Sequence, residues 1–178
     1  MDEVWDRLDA GAVDGVVVRA NYQTAGRGRR GRSWTAPPGS SLMLSLGFRA
    51  PGEQLTAHSR AVALGALAAI RAAVGDAQVG LKWPNDIQAS GARRAGDRAG
   101  GDRPVGGAKL GGILAESRWS HAGATVGPGA TLVVGLAVNV NQSQEELPSG
   151  GTSLALLGAQ PDAAGDVEGL ERRVLTLI

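Results

Sequence analysis

Short apolar stretches with strand character recur along the chain, at 15–21, 41–48, 79–88, 108–117 and 131–141. The first is rich in β-branched residues and leads into a long glycine-rich loop. In 41–48, leucines and a phenylalanine alternate with smaller residues, which is typical of a strand with one face on the core. We expect these stretches to share one sheet.

The stretch 131–141 has the clearest alternation. Its larger residues point one way, and the other face carries Gly135, Ala137, Asn139 and Asn141. That second face combines polar amides with open space, so a ligand would have room there. The alternative interpretation is a strand end at which the asparagines begin a turn.

A period of 3.6 predicts helices at 2–10 and 54–74, and shorter helical patterns at 152–157 and 167–178. The main buried helix, 54–74, is rich in alanine and is followed by Gly75 as a stop signal. His58 lies in its first turns, where a surface or hydrogen-bonded role is the simpler interpretation. Strands in one sheet with helices packed against it indicate an α+β domain.

Two glycine-rich stretches, 89–107 and 121–129, have almost no apolar residues. We interpret the first as a mobile hairpin tip and the second as a similar turn, because neither can bury enough surface to order itself. In the first, arginines alternate with aspartates, which favours solvation over ligand binding. These arginines are Arg93, Arg94, Arg98 and Arg103.

Composition limits the function classes. A chain of 178 residues with 43% hydrophobic and 20% charged residues fits one globular domain. It has no apolar run of the ~20 residues that span a bilayer, no apolar leader and no cysteine. We therefore expect a cytoplasmic protein that does not bind membranes. The net charge of only +1 disfavours nucleic-acid binding.

The most unusual segment is 22–41, and we call its centre, residues 26–32, the arginine loop. It holds Arg27, Arg29, Arg30 and Arg32, separated by glycines. Two such charges at ~4 Å repel by about 1 kcal/mol even in water. The loop is therefore either a solvated basic segment or an anion site, because glycines allow close backbone approach and arginine donates bidentate hydrogen bonds. As an anion site it would be mobile when empty, since only the bound anion would relieve the repulsion.

Lysine is rare in this chain. Of 18 cationic residues 16 are arginine, and the two lysines are Lys82 and Lys109. In a chain that otherwise uses arginine, a lysine indicates a place where a compact ammonium is needed, and the alternative interpretation is chance.

Four motifs, in this order, resemble the catalytic domain of biotin protein ligases: Y-Q-T-A-G-R-G-R-R-G-R-S-W, K-W-P-N-D-I, K-L-G-G-I-L-A-E and V-V-G-L-A-V-N-V-N. The resemblance implies a mixed β-sheet with helices packed on one face, a fold shared with lipoate ligases and octanoyltransferases. It also implies two reaction steps. Biotin is activated with MgATP as biotinyl-5′-AMP, and the biotinyl group then passes to a lysine of a biotin carboxyl carrier protein or domain.

The resemblance assigns roles to individual residues. Lys109, Arg29 and Asp86 would be catalytic, with Lys109 between the biotin carboxylate and the α-phosphate and Asp86 orienting the acceptor amine. The residues implied to bind biotin are Gln23, Arg27, Gly28, Arg29, Lys109 and Gly112. Those implied to bind ATP are Arg30, Arg32, Trp34, Lys82, Asn85 and Asn139. Mg²⁺ would be held mainly by the nucleotide, with no dedicated metal ligands, and Trp83 and Pro84 would serve packing.

The family pattern predicts further segments that this sequence does not show. The resemblance places residues 1–178 in the catalytic domain, without its first strand and without the small C-terminal β-barrel domain. Because that strand ends in a Ser-Thr-Asn-like turn that contacts biotin, an inactive truncated ligase is one alternative. The others are a lipoyl or octanoyl transferase of the same fold and an RNA-binding module that uses the arginine loop. We expect a monomer or a weak homodimer.

Overall fold

The computed structural model describes residues 1–75, 79–90, 107–119, 129–159 and 166–178. These residues form six strands and three α-helices. The strands are β1 (Val16–Arg19), β2 (Ser41–Ala50), β3 (Val79–Lys82), β4 (Asp86–Ala89), β5 (Ala108–Trp119) and β6 (Ala130–Asn139). The helices are α1 (Asp2–Asp9), α2 (Leu55–Val74) and α3 (Val167–Leu177). The described residues confirm the α+β class predicted from the sequence.

One sheet contains all six strands in the order β1-β2-β6-β5-β4-β3. Each pairing between these strands is antiparallel. The parallel component of the expected mixed sheet is a single bridge between Lys109 and Gly151 among the described residues. The long central strands β2, β6 and β5 form the rigid part of the sheet.

The stretch 79–88, which we predicted as one strand, is a hairpin. β3 and β4 pair across a turn at residues 83–85, and the Trp83–Pro84 peptide bond in that turn is cis. The single-strand prediction was wrong because proline lacks an N–H and cannot continue a strand ladder. The K-W-P-N-D motif is therefore a turn between two strands.

The two faces of the sheet are covered differently. The apolar residues of β2 and β6 pack against α2 and α3 in the main core, and the predicted buried face of α2 lies there. α1 packs on the opposite face, where Val4, Trp5 and Leu8 form a small cluster with Val133. A Cβ on Gly47 would lie 2.6 Å from Val4, so a glycine there lets α1 approach the sheet closely. The expectation of helices on one face holds for α2 and α3 but not for α1.

The predicted hairpin tip falls mainly on residues 91–106 and the second turn mainly on 120–128, and both lie outside the described residues. This applies also to Arg93, Arg94, Arg98 and Arg103. None of the described helices has the length and apolar character needed to cross a membrane.

Candidate functional site

A cavity of about 740 Å³ lies on the face of the sheet that carries α1. Its floor is made of small residues from the central strands, because Ser45 pairs with Gly135 and Gly112 pairs with Ala137. Small side chains at these positions leave a hollow above the backbone, and its volume lies in the ~300–1,000 Å³ range of small-molecule sites. The ligand space predicted on this face is present beside Ala137, whereas at Gly135 the Met1 side chain packs on the sheet, with its Sδ 2.9 Å from where a Cβ would lie.

The arginine loop forms one wall of this cavity. Its ends are joined by hydrogen bonds from the Gly28 N–H to the Arg32 carbonyl (2.7 Å) and from the Trp34 N–H to the Gly26 carbonyl (2.9 Å). Gly26 is required by packing, since a Cβ there would lie 2.2 Å from the Trp34 carbonyl oxygen. Arg30 has φ +58°, a left-handed conformation that costs a non-glycine residue roughly 1–2 kcal/mol.

Arg27 is neutralised within the protein. Its guanidinium donates to both carboxylate oxygens of Asp2, at 3.0 and 2.8 Å, and lies 3.6 Å from Glu116. The hydrogen bond from Arg27 lowers the pKa of Asp2, and the same bond raises the pKa of Arg27. The expectation that only a bound anion relieves the repulsion of the loop was therefore wrong for this residue, because α1 supplies a carboxylate.

The other three arginines of the loop, Arg29, Arg30 and Arg32, line the cavity and are exposed. Within the described part of the chain none of them forms an ion pair. They are the cations that remain available for an anionic ligand.

The opposite wall of the cavity is the β3–β4 hairpin together with β5. Lys82, Asn85 and Asp86 line it, and the Lys109 ammonium donates to Asp86 Oδ1 at 2.7 Å. Asn85 donates through Nδ2 to the carbonyl of Ile113 at 3.1 Å, which ties the turn to β5. A Cβ on Gly112 would lie 3.7 Å from Lys109 Nζ, so this glycine leaves open the space next to the ammonium.

The structure brings together every residue that the sequence assigned to the site except Asn139. Gln23, Gly28 and Trp34 also line the cavity, beside the residues described above. Asn139 is 4% exposed and lies outside the cavity lining. Its Nδ2 donates to the carbonyl of Thr152, and its Oδ1 accepts from Gln142. The turn chemistry that we had weighed as the alternative for this asparagine describes its surroundings better than ligand binding does.

Among the residues around the cavity, sequence reasoning missed Asp2 and did not foresee the exposure of Trp83. Asp2 was not considered, because its partner Arg27 is 25 residues away and only the packing of α1 brings the two together. Trp83 was interpreted as packing, but its side chain is 89% exposed at the cavity mouth. Trp34 carries a buried Nε1 donor without a hydrogen-bond partner among the described residues.

The arrangement favours chemistry between anions. Cations on both walls face one enclosed space, where preorganised positive charge stabilises negative charge that develops in a reaction. The described residues contain no group of three or more His, Cys, Asp or Glu that would hold a metal ion by itself.

Comparisons with known proteins agree with this geometry. A sequence model of the biotin/lipoate A/B protein ligase family matches residues 6–139. The biotin–[acetyl-CoA-carboxylase] ligase of Mycobacterium tuberculosis is 37% identical over 163 residues, which cover 88% of this chain and 52% of the relative. A ligase of the same name from Paracoccus denitrificans is 36% identical over 138 residues, covering 75% of this chain and 48% of the relative. The chain spans about half the length of these relatives.

Among solved structures, the biotin acetyl coenzyme A carboxylase synthetase of Helicobacter pylori, determined with bound biotinylated ATP, superposes with a TM-score of 0.53. It is 21% identical, and the match covers 99% of this chain and 69% of that one. At this identity the superposition shows a common fold. The family match extends over most of the chain and includes the arginine loop, the β3–β4 hairpin and Lys109, and this chain belongs to the biotin/lipoate A/B protein ligase family.

Proposed function

We propose that this chain is the catalytic domain of an ATP-dependent ligase that activates biotin as biotinyl-5′-AMP and transfers it to a lysine of a carrier protein. The observation that carries the proposal is the single cavity in which the arginine loop faces Lys109 across a floor of small residues. The similarity to two relatives named biotin–[acetyl-CoA-carboxylase] ligase favours biotin as the substrate.

In the first step a carboxylate oxygen of biotin attacks the α-phosphorus of ATP. A new O–P bond forms, the bond to the bridging oxygen breaks, and pyrophosphate leaves. The carboxylate is ionised at pH 7, so no strong base is needed. The difficulty is to bring two anions together, which requires positioned cations.

The exposed cations have suitable positions for this task. Arg29 would hold the biotin carboxylate and the α-phosphate, together with Arg27 once the ligand displaces Asp2 from it. Gln23, Gly28 and Gly112 would shape the biotin site. Lys109 would lie between the two anions, where an ammonium can contact oxygens of both. The residues proposed to contact ATP are Arg30, Arg32, Trp34, Lys82 and Asn85.

In the second step the neutral ε-amine of the acceptor lysine attacks the carbonyl carbon of the mixed anhydride. An amide C–N bond forms, the C–O bond to phosphate breaks, AMP leaves, and the nitrogen loses a proton to solvent. Asp86 would orient the incoming amine from its place beside Lys109. The acceptor proposed here is a biotin carboxyl carrier domain of an acyl-CoA carboxylase, by analogy with the named relatives.

The donor set of the cavity fits Mg²⁺ that arrives with the nucleotide. Magnesium prefers oxygen ligands and keeps several waters, with phosphates as its usual partners. Asp86 is a carboxylate on the wall that holds Lys109, and its Oδ1 already accepts from that ammonium. Phosphate oxygens and waters would therefore supply most of the Mg²⁺ ligands. The ion would neutralise part of the phosphate charge.

The proposal is tested by incubating the chain with biotin and MgATP and measuring biotin-dependent pyrophosphate release, then adding a carrier domain and measuring biotinylation. Lys109→Ala should lower the first rate by two or more orders of magnitude, because removal of one preorganised donor costs ~10²–10³ in rate. Arg60→Ala, which removes an exposed cation from α2 on the far face of the sheet, is the matched control and should retain the rate.

Two outcomes would contradict the proposal. Pyrophosphate release or acyl transfer driven by lipoate or octanoate in place of biotin would assign the chain to another branch of the family. Absence of turnover with any of these acids would leave the inactive ligase as the better description.

A further inference from the structure

The backbone of Lys109, on β5, forms hydrogen bonds with a segment that lies outside the six strands. At its position, the neighbour of β5 is not β6 but the stretch 150–152, which forms the parallel bridge. The Lys109 N–H donates to the carbonyl of Gly150 at 2.8 Å, and the Thr152 N–H donates to the carbonyl of Lys109 at 2.9 Å. Both backbone polar groups of Lys109 therefore depend on where this stretch lies.

The stretch 150–152 is fixed in turn by a buried pair of amide side chains. Asn139 donates through Nδ2 to the carbonyl of Thr152 at 3.0 Å. Gln142 donates through Nε2 to Asn139 Oδ1 at 3.1 Å and to Ser41 Oγ at 2.7 Å, and its Oε1 accepts from the Val140 N–H at 2.9 Å. These contacts fix which way both amides point.

The pair is deeply buried. Asn139 is 4% exposed, Gln142 2% and Thr152 0%. A buried amide that loses its partner carries a desolvation cost, so such a network holds its members in one arrangement. The chain of contacts runs from Ser41 on β2, through Gln142 and Asn139, to the backbone that brackets Lys109.

We propose that Asn139 and Gln142 are positioning residues that place the Lys109 ammonium in the cavity through the backbone of residues 150–152. Neither side chain lines the cavity, and the contacts that link them to Lys109 run through the backbone of residues 150–152. The Lys109–Asp86 ion pair fixes the tip of the side chain, and the amide pair fixes its backbone. This assigns a purpose to the asparagine that the sequence had placed at the nucleotide.

The inference rests on the proposed function for its kinetic consequence, but its first test does not need activity. The chain contains two lysines, Lys82 and Lys109. Labelling with [¹³Cε]lysine should therefore give two resonances, assigned with Lys82→Arg and Lys109→Arg. Asn139→Asp removes the donor to Thr152, and Gln142→Glu removes both donors of the glutamine. In either variant the Lys109 resonance should shift or broaden while that of Lys82 stays in place.

The matched control is Glu171→Gln, which swaps a carboxylate for an amide in the partly buried ion pair between Arg19 and Glu171, on β1 and α3. It should lower thermal stability without moving the Lys109 resonance.

A second variant is used if both amide variants fail to fold. Ser41→Ala removes only the hydroxyl acceptor of Gln142 and should cause a smaller shift of the same resonance. An unchanged Lys109 resonance in the folded variants would overturn the inference.

The kinetic test separates this inference from the proposed function. If the parent chain forms the adenylate, the folded amide variants should lose about 10- to 100-fold in kcat, with KM for biotin little changed, since a ~1 Å displacement of a reacting group has effects of this size. A rise in KM with kcat retained would contradict positioning. If the parent chain is inactive, the proposed function fails, and the resonance test alone decides the inference.

Discussion

Lys109 Nζ lies 2.7 Å from Asp86 Oδ1, and this contact joins β5 to the neighbouring β3–β4 hairpin within one wall of the cavity. Both side chains are partly exposed, at 37% and 26%. A pair of this exposure contributes little to stability, because water screens it. Its more important effect is to fix the ammonium above Gly112, at the point where the two anionic substrates would meet.

Asp86→Asn tests the consequence for catalysis. The amide keeps the size of the side chain but removes the negative charge, so Lys109 loses its charged partner. We expect kcat for adenylate formation to fall about 10- to 100-fold, as for a misplaced reacting group. KM for biotin and ATP should not rise, because the cavity becomes more positive. A rise in KM without a loss of kcat would mean that Asp86 serves only substrate binding.

The contact between Asp2 and Arg27 predicts competition with ligand. The Asp2 carboxylate accepts hydrogen bonds from both terminal nitrogens of the Arg27 guanidinium, Nη1 and Nη2. An incoming carboxylate or phosphate therefore has to displace it. Asp2→Asn should tighten binding of a non-hydrolysable biotinyl-adenylate mimic by roughly two- to fivefold, the scale of an exposed ion pair. Calorimetric titration measures this change. Weaker binding would show instead that Asp2 holds Arg27 in its binding position.

The same pair has a defined pH dependence. The hydrogen bond from Arg27 lowers the pKa of Asp2 below its ordinary value of 3.8. The stabilisation from this pair is therefore fully present above that value and is lost as the pH falls through the folded-state pKa. The difference in melting temperature between the parent and Asp2→Asn should be constant from pH 5 to 8 and disappear in stronger acid. A difference that changed near neutral pH would assign the effect to another group.

Gly26 should be intolerant of any side chain. A Cβ at this position would lie 2.2 Å from the Trp34 carbonyl oxygen and 2.6 Å from Gln23 Oε1, so Gly26→Ala forces the base of the arginine loop apart. We expect binding of the adenylate mimic to weaken at least tenfold, since cavity-lining residues shift together. Gly80→Ala is the control, because its Cβ would meet nothing within 4 Å. Equal affinity in the two variants would contradict a role for the loop in binding.

Thr152 offers a prediction about stability alone. Its Oγ1 is buried and has no hydrogen-bond partner among the described residues. Thr152→Val replaces this hydroxyl with a methyl group of similar shape, which removes a desolvation cost of about 1 kcal/mol or more. The melting temperature should rise by roughly 2–4 °C. A lower melting temperature would mean that the hydroxyl is satisfied in solution.

The sequence predicted local features better than contacts between distant segments. The face of β6 that forms the cavity floor was visible in its alternation, and Lys109 was singled out because lysine is so rare here. The turn at 83–85 was missed because the apolar residues before and after it have the pattern of one continuous strand. The partner of Arg27 comes from the packing of α1, for which an acidic helix start gives no specific signal. The family resemblance placed Asn139 at the nucleotide, and the alternation of the strand shows which face this residue lies on but not what buries it.

The central claim is that the arginine loop and Lys109 face one cavity that holds both anionic reactants. A crystal structure with a biotinyl-adenylate mimic tests it most directly. We predict density over Gly112, Gly135 and Ala137, with the phosphate between Arg29 and Lys109. Density for the mimic outside this cavity would contradict the claim.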